Sequence, residues 1–221
     1  MSNQNTNTNP ETFDFSQFLN MPLPPMEVCA CGERTTRVPC FECSEASRKK
    51  SAAAMARRVR DATIPAGYRD LTIEMFEARI GKNAWDRVTV RPLRTSMTLF
   101  GPAGSGKTTL AVWALQQSSA PGSMFVQAYD VERACRNQPF GSESQLYEQC
   151  MKAPVLVVDE LATHFGALPN VCHLLISRGN ANLLTYVTTG AEPQAICDAF
   201  GSGIHRRLFH PHCAFAVRVE R

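Results

Sequence analysis

Three groups of residues in this chain could do chemistry, judged by residue type and spacing. The first is Gly101-Pro102-Ala103-Gly104-Ser105-Gly106-Lys107-Thr108-Thr109, in which Gly101, Gly106, Lys107 and Thr108 satisfy G-x-x-x-x-G-K-[ST]. Glycines permit positive φ, so successive backbone N–H groups can converge on one anion. A helix opening near Lys107 would add its positive dipole end. Lys107 supplies a point charge for β and γ phosphates, and the Thr108 hydroxyl a ligand for magnesium. Gly101 through Thr109 are therefore the expected cradle of ATP.

The second group is Asp159-Glu160, directly after the apolar run Val155–Val158. Asp159 is expected to hold the magnesium together with Thr108, and Glu160 to orient and polarise the attacking water. Two carboxylates can also do no more than solubilise the end of a buried strand. The phosphate loop upstream favours the catalytic reading. The Glu beside the Asp predicts hydrolysis, because a magnesium ligand alone needs only the first carboxylate.

The third group is Cys29, Cys31, Cys40 and Cys43, spaced C-x-C-x8-C-x2-C. Two close pairs of thiolates can close a tetrahedral zinc site, with Gly32 and Pro39 where the chain must turn. The alternative is four unconnected thiols in a segment too poor in apolar residues to build a core. The other five cysteines are scattered singly, as small buried apolar residues are. His210-Pro211-His212 beside Cys213 reads as a turn before a last strand and not as a metal site.

These groups need elements to position them. Met97–Phe100 reads as a short buried strand entering the glycine loop, and Thr108–Gln117 as the helix leaving it. Met124–Val126, Val155–Val158, Leu183–Thr188 and Ala214–Val219 read as further strands. Gln145–Lys152, Asn170–Arg178 and Pro193–Phe200 read as helices. Strands alternating with helices imply an α/β, three-layer P-loop core with a parallel sheet. The expected division is a disordered tail over 1–27, a zinc-binding module over 28–43, a basic linker helix over 44–63 and an ATPase core over 64–221. The tail contains one short amphipathic piece at Phe15, Phe18 and Leu19.

The net charge of +3 is local: Ser44–Arg60 alone carries +5 and the remainder −2. Nucleic-acid attraction is thus expected at one segment, around Arg48–Arg60, and not over the whole surface. That segment has no interleaved aromatic residue on which bases would stack, and a solvated linker helix would look the same. No apolar run approaches the length needed to cross a bilayer, and Met1–Pro10 lacks the features of a secretion signal. No membrane association and a cytoplasmic location are expected.

The cysteine module, Ile64-Pro65-Ala66-Gly67-Tyr68-Arg69, the phosphate loop, the Val155–Leu161 strand and Gly203-Ile204-His205-Arg206-Arg207-Leu208 occur in an order that resembles helicase loaders of the DnaC/DnaI type. These are AAA+ ATPases, and many are phage- or plasmid-encoded. The resemblance covers roughly residues 28–221, and the transposition helper IstB is similar over the same core. It implies ATP, Mg2+ and Zn2+ as cofactors. It implies a replicative DNA helicase and single-stranded DNA as partners, and homo-oligomers through AAA+ interfaces. It further implies that Arg207 is a catalytic arginine finger for a neighbouring protomer, with Arg206 as a nearby substitute. The chain departs from the family in two ways. Val187-Thr188-Thr189-Gly190 lacks the Asn that senses the γ-phosphate; a hydroxyl of Thr188 or Thr189 could hydrogen-bond in its place, and the sequence leaves open whether one does. No helical lid domain is expected after Arg221. The competing functions are an IstB-like transposition ATPase acting on target DNA and a zinc adaptor that uses nucleotide structurally.

Overall fold

The computed structural model describes residues 26–36, 38–90, 93–118, 120–139, 144–166 and 168–220. The Phe15/Phe18/Leu19 piece and the tail up to Pro25 lie outside these residues. The chain divides into two units, one up to Lys50 and one over Ser51–Arg221.

In the smaller unit, β1 (Glu27–Val28) pairs antiparallel with β2 (Arg34–Thr35). The turn between them is closed by the Gly32 N–H donating to the Cys29 carbonyl at 2.8 Å, with Gly32 at φ +89°. Helix α1 (Phe41–Thr63) begins three residues before the expected linker helix. The Ser44 N–H already reaches the Cys40 carbonyl, 2.9 Å away, in the i to i−4 pattern of an α-helix. Cys43 therefore rides on the first turn of α1.

One member of the basic segment is not available to a partner. Arg60 is buried, and its guanidinium donates to the Gln116 and Ser118 carbonyls at 3.1 and 2.8 Å while pairing with Asp61. It tethers the end of α1 to the body of the larger unit. Lys49 is paired with Glu45 at 3.4 Å. The remaining basic side chains, Arg48, Lys50, Arg57 and Arg58, are exposed.

The larger unit is built on five strands: β3 (Met97–Phe100), β4 (Met124–Gln127), β5 (Val155–Asp159), β6 (Leu184–Thr189) and β7 (Phe215–Arg218). All adjacent pairs are parallel, in the order β4-β5-β6-β3-β7. A parallel sheet covered on both faces needs apolar side chains on both faces, and β5 shows it. Val155 and Val157 join one core cluster with Leu110, Ala111 and Leu115, while Leu156 and Val158 join the other with Leu174 and Ile196.

Helices α2 (Ile73–Arg79) and α3 (Lys82–Thr89) precede the sheet, and α4 (Lys107–Gln116) follows β3. Then come α5 (Ala128–Arg136), α6 (Gln145–Lys152), α7 (Pro169–Asn180), α8 (Pro193–Phe200) and α9 (Ser202–Phe209). Two buried charges fix the packing on one face. The Glu132 carboxylate accepts from the Asn170 and Val171 N–H groups at 3.0 and 3.4 Å, which places a negative charge at the N-terminus of α7. Arg178, with 0% exposure, donates to the carbonyls of Cys150, Ala153 and Leu184 and to the Thr185 hydroxyl. Burial brings its pKa down to about 10.

The strand order has a direct consequence for the site. Counted from β3 as the first strand, the sheet reads 5-1-4-3-2 from its β7 edge. The strand ending in Thr188-Thr189 therefore lies between the strand that feeds the glycine loop and the strand that ends in Asp159. In α/β sheets ligands bind outside the carboxyl ends of the strands. Phe100, Asp159 and Thr189 all stand at that end.

Candidate nucleotide site and cysteine centre

The glycine loop has the backbone its sequence predicts. Gly101, Gly104 and Gly106 all have positive φ, at +135°, +73° and +95°. At Gly101 a Cβ would meet the Val219 carbonyl oxygen at 2.5 Å, and at Gly106 the Arg79 carbonyl oxygen at 2.8 Å. At these two positions only glycine fits, both for its torsion and for the backbone packed against it. Nothing lies within 4 Å of the corresponding point on Gly104, so the loop is open on that side.

The loop lines a cleft of about 290 Å3 with Tyr68, Arg79, Gly104, Lys107, Thr108 and Thr109. Lys107 donates to the Gly101 and Pro102 carbonyls at 3.0 and 2.7 Å. Burial lowers its pKa, opposed by the charges of Asp159 and Glu160. The Ser105 hydroxyl, in a residue only 2% exposed, has no hydrogen-bond partner among the described residues. A loop bent by three glycines at positive φ, with an ammonium and a spare hydroxyl, fits a phosphate chain. A buried hydroxyl left without a partner is otherwise costly.

Asp159, at 6% exposure, is held by two threonines. Thr108 donates to its Oδ1 at 2.9 Å from the helix side, and Thr188 at 2.6 Å from β6. Thr188 Oγ1 also accepts from the Glu160 N–H at 2.9 Å, and the Leu161 N–H bonds the Thr188 carbonyl at 2.8 Å. The chain thus turns sharply after Asp159. Glu160 sits at φ +59°, in the left-handed region, and its side chain is exposed. A non-glycine residue there costs roughly 1–2 kcal/mol, and the Thr188 bonds hold it in place. The two adjacent carboxylates are thereby separated: Asp159 faces Thr108, while Glu160 stands out towards solvent.

The hydroxyls expected to replace the missing Asn are both engaged. Thr188 bridges Asp159 and Glu160, and Thr189 donates to the Leu161 carbonyl at 2.6 Å while accepting from the Ala191 N–H at 3.0 Å. Thr188 acts on the acidic pair from behind.

Burial pushes the Asp159 carboxyl above its usual range. Hydrogen bonds from Thr188 and Thr108 pull the other way, Glu160 adds to the rise, and Lys107 opposes it. A raised folded-state pKa means the ionised form costs more in the folded protein than in the unfolded chain. Ionised Asp159 therefore subtracts stability at neutral pH, and the loss is relieved as pH falls through its raised pKa. In magnesium-free buffer, Asp159→Asn is expected to melt above the wild type at pH 7, with the gap closing on acidification. The amide oxygen can still accept from both threonines. Thermal melts across pH check this, and a variant that melts lower at every pH would refute it.

Arg207 is carried to the opposite end of the sheet. Its guanidinium donates to Asn180 Oδ1 at 3.0 Å and to the Gly203 carbonyl at 3.1 Å. The cleft it lines includes Ser96, before β3, and Thr185, early in β6. β6 covers six residues, about 17 Å of strand. The phosphate loop of the same chain lies past its far end. Arg206 is exposed, with no partner among the described residues.

The four cysteine sulfurs meet in one place, all within 4.8 Å of one another. The Cys31 and Cys40 sulfurs are 3.6 Å apart. Four sulfurs at about 2.3 Å from a tetrahedral zinc would be about 3.8 Å apart, whereas a disulfide needs about 2.05 Å. The N–H of Cys40 points at Cys29 Sγ at 3.4 Å and that of Cys43 at Cys40 Sγ at 3.5 Å. The Cys40 and Cys31 backbone N–H groups beside it hold the Cys29 thiol down at about 6. Of the scattered cysteines, Cys150 is buried and Cys213 exposed.

Two cleft residues were not legible as site residues. Tyr68 belongs to the Ile64–Arg69 phrase, but nothing in that phrase marks it as facing the loop. Arg79 ends a helix that carries no motif.

The sheet order and the glycine loop define a P-loop α/β core. No family model matches the chain, and no curated protein matches it. Solved structures do share its fold. One is AMPPCP-bound DnaA from Aquifex aeolicus, with a TM-score of 0.55 and 16% identity over 71% of this chain and 51% of that one. A second is the DnaC helicase loader, with a TM-score of 0.52 and 17% identity over 70% of this chain and 95% of that one. A third is DnaI, with a TM-score of 0.51 and 16% identity over 76% of this chain and 94% of that one. The chain thus spans about half of the DnaA structure and nearly the whole of the other two overlaps with it. The expected fold class is borne out, and the neighbours are of the kind the sequence resembles.

Proposed function

We propose that this protein binds and hydrolyses ATP with Mg2+ and loads a replicative helicase onto single-stranded DNA. The observation that carries the reading is the joint between Thr108, Asp159, Thr188 and Glu160. It sets the Asp159 carboxylate against the loop threonine and holds a second carboxylate outward in a strained backbone state. A protein using nucleotide for structure alone has no need of that second, strained carboxylate. Gly101–Thr109 hold the phosphates, Lys107 neutralises the γ-phosphate, Glu160 polarises the water, and Tyr68 and Arg79 flank the nucleotide. Arg207 serves the nucleotide of a neighbouring copy, since it stands at the far end of its own sheet. Activity then requires a homo-oligomer.

Cys29, Cys31, Cys40 and Cys43 hold a structural Zn2+, and the zinc module with the basic helix of residues 44–63 faces the helicase and DNA. Location in the cytoplasm follows from this reading. Among the described residues no helix is long and apolar enough to cross a membrane.

The test is retention of the cognate hexameric helicase on the immobilised full chain, with ATP, Mg2+ and single-stranded DNA. Nucleotide-dependent retention, lost in Lys107→Ala, is expected. Retention of a transposase instead of the helicase would sink the loader reading and favour a transposition helper.

Zinc is expected at one ion per chain. Substituting Co2+ should give a tetrahedral thiolate spectrum that Cys40→Ser loses. The amide signals of residues 26–50 should collapse in that variant, while those of the larger unit persist, because the small unit has too few apolar residues to fold without metal. Unchanged signals in Cys40→Ser would refute this.

A further inference from the structure

A second cleft, of about 200 Å3, lies at the amino-terminal end of the sheet, away from the phosphate loop. Ser96, Thr98, Asn180, Arg206, Arg207 and His212 are among its walls, and no described Asp or Glu is. Two features mark it as more than a surface dent. The first is charge: two arginines border a concave space, and none of its described walls is a carboxylate that would neutralise them. Arg207 spends two donors on Asn180 and Gly203, and Arg206 spends none on the described residues.

The second is Thr98, whose hydroxyl is one of two buried side-chain groups without a partner among the described residues. Thr98 is 0% exposed and lies on β3 between Met97 and Leu99, both in the cluster on the α4 face. Strand alternation sends its side chain to the other face. There its cross-strand neighbour Val187 also lines the cleft. The Ser96 hydroxyl accepts from the Thr185 N–H at 3.1 Å, which leaves its own proton to donate.

We propose that this cleft binds one phosphate group, with Arg206 and Arg207 at its mouth and the hydroxyls of Thr98 and Ser96 as donors within. At about 200 Å3 it is smaller than the cleft at the phosphate loop and has room for a single oxyanion. Paired guanidinium groups match a phosphate's oxygens. The proposal stands apart from the loader reading and survives if the phosphate loop proves inert. If both hold, an anion here draws Arg207 towards its own chain and withholds it from a neighbour.

The experiment uses the full chain in a Lys107→Ala background, which silences the phosphate loop. Inorganic phosphate is titrated and followed by 31P line broadening and by the rise in melting temperature. Saturable binding is expected. Arg206→Ala, a change at an exposed side chain, should weaken it about tenfold or more, as loss of a charge-assisted hydrogen bond does. Thr98→Ser should keep the affinity. Thr98→Val should lower it while raising the melting point of the phosphate-free protein, because the partnerless hydroxyl is gone. A parallel arm with ADP tells a free phosphate from the terminal phosphate of a nucleotide. No saturation at tens of millimolar, an unchanged affinity in Arg206→Ala, or a Thr98→Val protein that is only stabilised would each overturn the proposal.

Discussion

Glu160→Gln is expected to bind ATP as tightly as the wild type and to hydrolyse it about 10²–10⁴-fold more slowly, the span for loss of a positioned general base. The reason is geometric. The Glu160 side chain is exposed and makes no hydrogen bond among the described residues, and its backbone N–H bond to Thr188 survives the change, so its amide replacement leaves the phosphate cradle intact. Single-turnover hydrolysis beside equilibrium titration with a fluorescent ATP analogue separates the two quantities. Thr188→Val gives a second arm. It removes the bond from Thr188 to Asp159 at 2.6 Å and the acceptor for the Glu160 N–H at 2.9 Å. Glu160 is then free to leave its left-handed torsion. A positioning residue of this kind typically costs about 10–100-fold, and the loss should fall on turnover more than on ATP affinity. Thr188→Ser should restore it. If Glu160→Gln turned over at the wild-type rate, the acidic pair would have no hydrolytic role.

The second large effect concerns Arg207. Arg207→Ala is expected to bind ATP normally and to lose about 10³-fold or more in turnover, as removal of an arginine finger does. Lys107→Ala is inactive for a different reason, since it cannot hold the phosphates. Mixing the two inactive proteins should recover part of the activity. The Lys107→Ala copy offers its Arg207 to the intact nucleotide site of the Arg207→Ala copy. The recovered rate should rise with total protein concentration. Arg207→Lys should not substitute, because one ammonium lacks the planar fork of the guanidinium. Absence of recovery at any mixing ratio, with both proteins folded, would remove the arginine from the shared site. Arg206→Ala in the same assay tells whether the neighbouring arginine takes over.

The sequence by itself determined the local chemistry. Gly101, Gly106, Lys107 and Thr108 are recognisable because their requirements are local: positive φ, a missing Cβ and a helix start within a few residues. The four cysteines were legible for the same reason, since the two pairs are close in sequence. The apolar run Val155–Val158 announced a strand buried on both faces and so a three-layer α/β core. Its helices α2, α3 and α5 were not foreseen. Helix α1 begins three residues before the expected linker helix, because its first hydrogen bond is accepted by Cys40, one of the four clustered cysteines.

Tertiary structure decided what the neighbours are. Strand order placed β6 between the loop strand and the acidic strand, and so made Thr188 the clasp of Asp159 and Glu160, 28 or 29 residues away in the chain. It brought Tyr68 and Arg79 beside the phosphate loop, buried Arg60 out of a basic segment that otherwise faces solvent, and sent Arg207 to the end of the sheet remote from its own loop. Each of these rests on contacts between segments far apart in sequence. Residue type and spacing do not encode them, because burial and pairing are settled only when the sheet closes and its two faces are covered.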